Sequence, residues 1–250
     1  MWTDPVLLTV GAAAALLAGI TKGGFGSGAA FAASTMLALV APPEVAVGVM
    51  LPLLMLIDLG AVWAWFGRWT RREAALLILG GLPGTALGVA FWAVAPADAI
   101  RLVIGAVAVG FVAWSAASRG GWLRPARVGP GAPAGLLAGT VAGFTSFVSH
   151  AGGPAAAVYM LGRGMTKEAY QATSVIVFFA LNLVKLPPYV ALGLLSREIL
   201  ALCLVLAPAA LLGTWLGVRA HRLVPERAFF GLIYALLLAS GGRLIWDGLT

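Results

Sequence analysis

Long apolar runs separated by short polar segments dominate the chain. Six runs reach about 20 residues, the length that crosses the hydrocarbon core of a bilayer as one helix. They are 45–67, 74–95, 98–117, 169–190, 199–218 and 228–246. Four further runs are shorter and come as two pairs, 6–20 with 28–41 and 133–148 with 152–162. The pattern predicts an all-α polytopic membrane protein.

A Gly-rich polar stretch joins the two members of each short pair. The first stretch covers 21–28 and the second covers 143–154. A helix of about 15 residues reaches only about 22 Å, short of a core roughly 30 Å thick. We therefore predict that each pair is re-entrant, entering and leaving on the same side. Two full spans in place of each pair would give the same overall parity, so that alternative stays open.

The two halves of the chain repeat each other. The tetrapeptide Leu-Leu-Ala-Gly at 16–19 recurs at 136–139, and the glycines at 84 and 88 recur at 213 and 217. Each half then consists of one short pair and three spans, an odd number of crossings, so the second half is inverted. We expect repeat 1 at 1–119, a cytoplasmic linker at 120–130 and repeat 2 at 131–250.

Loop charges test this topology. The chain is 61% hydrophobic and only 10% charged, with a net charge of +7. With both termini outside the cytoplasm, every strongly basic loop falls on the inner side, as the positive-inside rule requires. The inner basic residues are Arg68, Arg71, Arg72, Arg119, Arg124, Arg127, Arg163, Lys167, Arg219, Arg222 and Arg227. This distribution predicts a multi-pass protein of the cell inner membrane and excludes nucleic acid as a partner.

The two Gly-rich tips are the candidate substrate site. Inverted repeats commonly bind substrate at the bilayer midplane between broken helices, and helix N-termini attract anions. Lys22 adds a full charge at the first tip, although it could instead lie at the interface and snorkel. The predicted binding residues are Thr21, Lys22, Gly24, Gly26, Ser27 and Gly28 at the first tip and Ser146, Ser149, His150, Gly152 and Gly153 at the second.

Further polar residues lie inside the long runs and are candidates for coupling or gating. Asp58 aligns with Asn182 in the repeat, one helical turn before Lys185. An Asp58–Lys185 pair across the pseudo-symmetry axis would serve proton coupling, or it would be a purely structural ion pair. Gln171 and Asn182 would line the same cavity or join helices by hydrogen bonds. The glycines at 80, 84 and 88 and their counterparts near 213 predict close helix packing.

The sequence resembles the sulfite exporter TauE/SafE family of anion transporters over nearly its whole length. The resemblance rests on Gly-Ile-Thr-Lys-Gly-Gly-Phe-Gly-Ser-Gly at 19–28 and on 139–164, which includes Ser-His-Ala-Gly-Gly-Pro at 149–154. Asn182 and the Ser-Arg-Glu at 196–198 continue it. Membership implies export or exchange of a small sulfur oxyanion or organosulfonate, such as sulfite or sulfoacetate.

The expected function is therefore secondary transport of a small anion by alternating access, with proton coupling through Asp58 or His150. A passive anion channel is the first alternative, because channels also use broken helices. An intramembrane hydrolase using Ser149 and His150 is the second, and it lacks a Gly-x-Ser-x-Gly elbow. We expect no enzyme activity, no cofactor and no metal site. The expected partners are the anion and the lipid bilayer, and a homodimer is left open.

Overall fold

The structure is a computed structural model, and it describes residues 4–25, 31–119, 131–220 and 226–250. These residues form ten α-helices and one π-helical turn, with short connections between them. The helices are α1 (Pro5–Ile20), α2 (Phe31–Leu37), α3 (Pro43–Ala64), α4 (Arg71–Val94), α5 (Ala97–Arg119), α6 (Ala132–Ser149), α7 (Gly153–Gly162), α8 (Lys167–Ala191), α9 (Arg197–Ala220) and α10 (Glu226–Leu249). The π turn (Thr21–Phe25) continues α1. Each predicted apolar run corresponds to one helix.

Local sequence signals define several of these boundaries. The Asp4 carboxylate accepts hydrogen bonds from the Val6 and Leu7 amides, and Pro5 occupies the first helical position of α1. Such caps satisfy amide groups that have no partner inside the helix. Gly67, Gly164 and Gly193 have positive φ angles in the connections after α3, α7 and α8. Glycine adopts this backbone conformation without a steric penalty, so the chain reverses direction there.

Eight helices in the described residues are long and apolar enough to cross a membrane, two more than the six expected. The additional two are α1 and α6. The π turn carries α1 beyond Ile20, and α6 extends over 18 residues. Their polar, Gly-rich ends remain helical, so the apolar pattern underestimated their length. Large hydrophobic side chains cover the outer surface, with Trp63 86% and Leu204 76% exposed. The chain is thus an all-α, multi-pass membrane protein.

Each predicted short pair folds as a hairpin. The end of α2 returns beside the start of α1, where a Cβ at Gly11 would lie 3.8 Å from a Leu37 methyl. Likewise α7 ends beside the start of α6, where a Cβ at Gly135 would lie 2.9 Å from the Tyr159 hydroxyl. A re-entrant pair requires this arrangement. Re-entrance itself, and the inverted orientation of the two halves, stay predictions.

The hairpins pack across the two halves of the chain. Helix α1 lies along α9, α6 lies along α4, and α5 lies against α10. Small residues bring the backbones together: Gly80 and Gly84 press on the Leu136 and Thr140 carbonyls, as Gly213 and Gly217 press on those of Leu16 and Ile20. The predicted packing seams are confirmed.

The two seams differ in register from the sequence repeat. By sequence, Gly84 corresponds to Gly213, whereas by contact Gly80 corresponds to Gly213 and Gly84 to Gly217. The difference is one helical turn, because residues four apart share a face of a helix.

Two basic loops lie next to each other on one face of the structure. Ion pairs connect them, Arg68 with Glu168 (2.9 Å) and Arg163 with Glu73 (3.2 Å). That agrees with both loops lying on one side of the membrane.

Candidate functional site

Lys22 lies in the π turn that follows α1, and its side chain is only 6% exposed. The backbone there presses against α9, since a Cβ at Gly23 would lie 2.6 Å from the Thr214 carbonyl oxygen. Only glycine permits this approach. The contact holds the turn in place. Single π turns within α-helices are frequent at functional sites.

Lys22 forms a buried ion pair with Asp58 of α3. The Nζ–Oδ1 distance is 2.5 Å, and the Asn182 amide of α8 donates to the other carboxylate oxygen, Oδ2, at 2.8 Å. Asp58 and Asn182 are 1% and 2% exposed. These contacts join α1, α3 and α8 in the interior. The pairing differs from the expected Asp58–Lys185 pair, because Lys22 reaches Asp58 and Lys185 has other acceptors.

Lys185 is fully buried and lies at the C-terminal end of α6. Its ammonium is 3.1 Å from the Ser146 carbonyl oxygen, 3.1 Å from the Ser146 hydroxyl and 3.0 Å from His150 Nδ1. Each of these three groups can accept a hydrogen bond from the lysine. The C-terminal end of a helix bears partial negative charge, which further favours a cation there.

His150 ends α6 in a left-handed backbone conformation, with a φ angle of 57°. This conformation is uncommon for residues other than glycine and often occurs at functional sites. The imidazole Nε2 lies 3.0 Å from the Val47 carbonyl oxygen. A carbonyl can only accept, so Nε2 carries the proton and Nδ1 accepts from Lys185. The histidine is thus neutral in this arrangement and connects α3 with α8.

A small cavity opens between these groups. Its volume is about 10 Å³, enough for about one water molecule. The wall combines polar groups with apolar side chains, and it is formed by Lys22, Leu54, Ser146, His150, Gly153, Phe178 and Asn182. Gly153 is the first residue of α7, so the N-terminus of that helix faces the cavity. Helix N-termini present free amide groups that bind anions.

The structure thus brings together Lys22, Ser146, His150, Gly153 and Asn182 at the cavity, with Asp58 and Lys185 directly behind it. Other candidates do not form part of the cavity wall. The hydroxyls of Thr21 and Ser149 donate to backbone carbonyls one turn earlier in their own helical segments. Gln171 precedes Asn182 by three turns, roughly 16 Å along α8.

The remaining predicted residues of the two tips fall into three groups. Gly152 supports the second tip from behind, since a Cβ there would lie 2.6 Å from the Ala142 carbonyl oxygen. Gly24 belongs to the π turn. The predicted residues Gly26, Ser27 and Gly28 lie outside the described residues. Among the described residues of the first tip, Lys22 therefore lines the cavity.

Two cavity residues were absent from the sequence prediction, Leu54 and Phe178. Each lies four residues before a predicted polar residue, Asp58 on α3 and Asn182 on α8. Residues four apart share a face of a helix, so this spacing could have identified both. They supply the apolar part of the wall.

The hydrolase alternative gains no support from the site. The Ser149 hydroxyl donates to the Thr145 carbonyl, while the two His150 ring nitrogens contact Val47 and Lys185. A nucleophile and its base have to lie within hydrogen-bond reach of each other. Among the described residues, no cluster of His, Cys, Asp and Glu side chains could hold a metal ion.

Comparison with known proteins gives one family. The family described as "Sulfite exporter TauE/SafE" matches residues 11–244, a span that includes every described residue of the cavity. No curated protein and no solved structure matches the chain. The match covers both seams, the second hairpin, and the first hairpin from Gly11 onward. On this evidence the chain belongs to the sulfite exporter TauE/SafE family.

Proposed function

We propose that the protein is a secondary transporter that carries a sulfur oxyanion or an organosulfonate by alternating access around the cavity. The family is one of membrane transporters of small anions, sulfite among them. The observation that carries the proposal is that, among the described residues, two buried lysines at the cavity face one buried aspartate, Asp58.

Electrostatics favours an anion at this position. An isolated charge in a low-dielectric interior is costly unless an opposite charge compensates it. Within the part of the chain that the structure describes, Lys22, Lys185 and Asp58 together leave one formal positive charge without a buried partner of opposite sign. A bound anion supplies that partner. The Ser146 hydroxyl, the Asn182 amide and the N-terminus of α7 are further donors for its oxygen atoms.

The shape of the cavity supports movement during transport. A volume of about 10 Å³ holds about one water molecule, so an oxyanion enters only if the hairpins separate. The seams of α1 with α9 and α4 with α6 join backbone to backbone and would move as units. In this proposal the two units rock about the anion, as in other inverted-repeat carriers. Leu54 and Phe178 would contact the organic part of a sulfonate.

Transport by purified protein in liposomes tests the proposal. We expect saturable uptake of sulfite and a sulfonate, and rising thermal stability of the detergent-purified protein with the same anions at matched ionic strength. A ligand that binds only the folded state stabilises it by about 2.7 kcal/mol at 100 times its dissociation constant. Flux that rises linearly with concentration would favour the channel alternative. No response to any sulfur anion would contradict the proposed substrate class.

Variants connect the transport to the cavity. The double change Lys22→Gln with Asp58→Asn removes both members of the ion pair and keeps the net charge of the cluster. It should strongly weaken anion binding, because it removes the lysine that lines the cavity. Arg219→Gln is the matched control, because Arg219 stacks on Trp215 at the exposed surface of α9, 3.8 Å from the ring centre. If both variants respond to the anion equally, the cavity is not the site.

Coupling and orientation belong to the same proposal. Asp58 and His150 are the candidate proton carriers, and an imposed pH gradient should change the initial rate of anion uptake if they act. We place both termini outside the cytoplasm, in the cell inner membrane, from the distribution of basic loops. Labelling of single cysteines introduced at Asp247 and at Arg68 should then occur from opposite sides of the membrane.

A further inference from the structure

We infer that the cavity selects anions by charge, accepting one negative charge and admitting a divalent anion only together with one proton. This inference rests on the proposed transport function and specifies its substrate. Its basis is the formal charge of the buried cluster, which we assign from the contacts that each titratable group makes.

The hydrogen bonds assign a protonation state to each group. His150 is neutral because Nε2 donates to the Val47 carbonyl and Nδ1 accepts from Lys185. We take Lys185 as an ammonium in this inference, because its Nζ lies within 3.1 Å of three groups that can accept, at the C-terminal end of α6, where partial negative charge favours a cation. Lys22 and Asp58 form an ammonium–carboxylate pair, with the Asn182 amide donating to the carboxylate. Two ammonium groups and one carboxylate give the cluster a charge of +1.

Few other charged groups affect this count. Among the described residues, the buried groups that can carry charge in this cluster are Lys22, Asp58, His150 and Lys185, contributed by the π turn, α3, the end of α6 and α8. Helix α9 also packs on α3, and it contributes the Cys203 thiol, which donates to the Val49 carbonyl. Glu73 carries the other carboxylate that is buried among the residues whose burial is described, and it pairs with Arg163.

Charge neutrality then determines which anions fit. A monovalent anion brings the cluster to zero, whereas a divalent anion leaves one negative charge in a low-dielectric site. Uncompensated charge is strongly unfavourable there, so a divalent anion requires an added proton. Asp58 and His150 are the groups of the cluster that can accept it. Transport of a divalent anion should therefore fall as the pH rises, and transport of a permanently monovalent anion should not.

Methanesulfonate and sulfate are suitable probes, since they are similar in size and differ by one charge. Uptake of each is measured in liposomes at one alkaline pH. Sulfite uptake at mildly acidic pH, where sulfite is mostly the monovalent hydrogen sulfite ion, is the readout of the proposed function itself. We expect the unchanged protein to prefer methanesulfonate. Asp58→Asn raises the cluster charge to +2 and should lower that preference at least about tenfold, because one unit charge acts at close range.

Two further variants separate charge from side-chain identity. Lys185→Gln brings the cluster to zero and should weaken methanesulfonate transport about tenfold. The double variant Asp58→Asn with Lys185→Gln returns the charge to +1 and should restore the preference for methanesulfonate. His150→Gln leaves the charge unchanged and should keep the preference, whatever its effect on rate. If Asp58→Asn does not fold, Lys185→Gln compared with His150→Gln carries the test.

The outcomes distinguish this inference from the proposed function. A preference that follows the charge count across the variants supports charge selection. A preference that is the same in all variants, or a double variant that behaves like Asp58→Asn, overturns charge selection while sulfite transport stands. An unchanged protein that moves none of the three anions overturns the proposed function.

Discussion

Substituting Gly84 by valine should destabilise the protein by about 3 kcal/mol or more. A Cβ at this position would meet the Thr140 carbonyl oxygen and lie 2.8 Å from the Thr140 carbonyl carbon and 2.9 Å from the Phe144 amide nitrogen. All three atoms belong to the α6 backbone and cannot rotate away. Overpacking in a core costs typically 1–3 kcal/mol, and here α4 and α6 have to separate as whole helices. The expected cost is at the top of that range.

Gly242→Val is the matched control for this prediction. It introduces the same side chain into α10, where a Cβ would have no neighbour within 4 Å. The free energy of unfolding is measured for both variants by denaturant titration in detergent micelles, with circular dichroism as the signal. Gly213→Val in the second seam should match Gly84→Val, since its Cβ would meet the Leu16 carbonyl. Equal stability of Gly84→Val and Gly242→Val would refute the packing argument.

Three further predictions concern named polar groups. Lys22→Met alone leaves Asp58 buried without its counter-ion and should cost about 3–5 kcal/mol of stability. The double variant with Asp58→Asn should recover most of that loss. A double variant as unstable as the single one would exclude the ion pair as the cause. Ser149→Ala should leave anion flux close to that of the unchanged protein, because this hydroxyl bonds within its own helix, and a large loss would return Ser149 to the site. Glu73→Gln should lower the free energy of unfolding by about 1.5–3 kcal/mol, because its ion pair is partly buried. Arg68→Gln removes an exposed ion pair and should cost only about 0–1 kcal/mol. Equal losses of stability in thermal unfolding would contradict this difference.

The helices follow directly from the apolar pattern, because burial in lipid requires long helices with satisfied backbone groups. The exceptions are the ends of α1 and α6. There, polar and glycine residues remain helical because a neighbouring backbone supports them, as α9 does at Gly23. Contacts between distant segments of the chain override local composition at such points. A pattern read along one segment does not contain that information.

At the candidate site, too, the sequence predicts one part and leaves another part open. The sequence identifies Lys22, Asp58, Asn182, Lys185 and His150 as unusual, because polar side chains in apolar runs are rare. It does not identify their partners. Pairing depends on how far each helix slides along its neighbour, and the two seams differ by one turn although the sequences repeat. A shift of one turn moves a side chain by about 5.4 Å, enough to exchange one hydrogen-bond partner for another.

At the π turn, the position of the Lys22 side chain depends on the number of residues in the turn as much as on residue type. A π turn accommodates one more residue than an α turn, and each residue rotates a helix by about 100°. Deleting Gly23 would convert the turn to regular α-helix and redirect whichever side chains flank it, while every charged group of the cluster remained in the sequence. Two relatives with identical polar residues could then differ in function through a single insertion or deletion. When relatives of this protein are compared, the spacing between Gly19 in α1 and Phe31, the first residue of α2, is therefore as informative as the identity of the lysine.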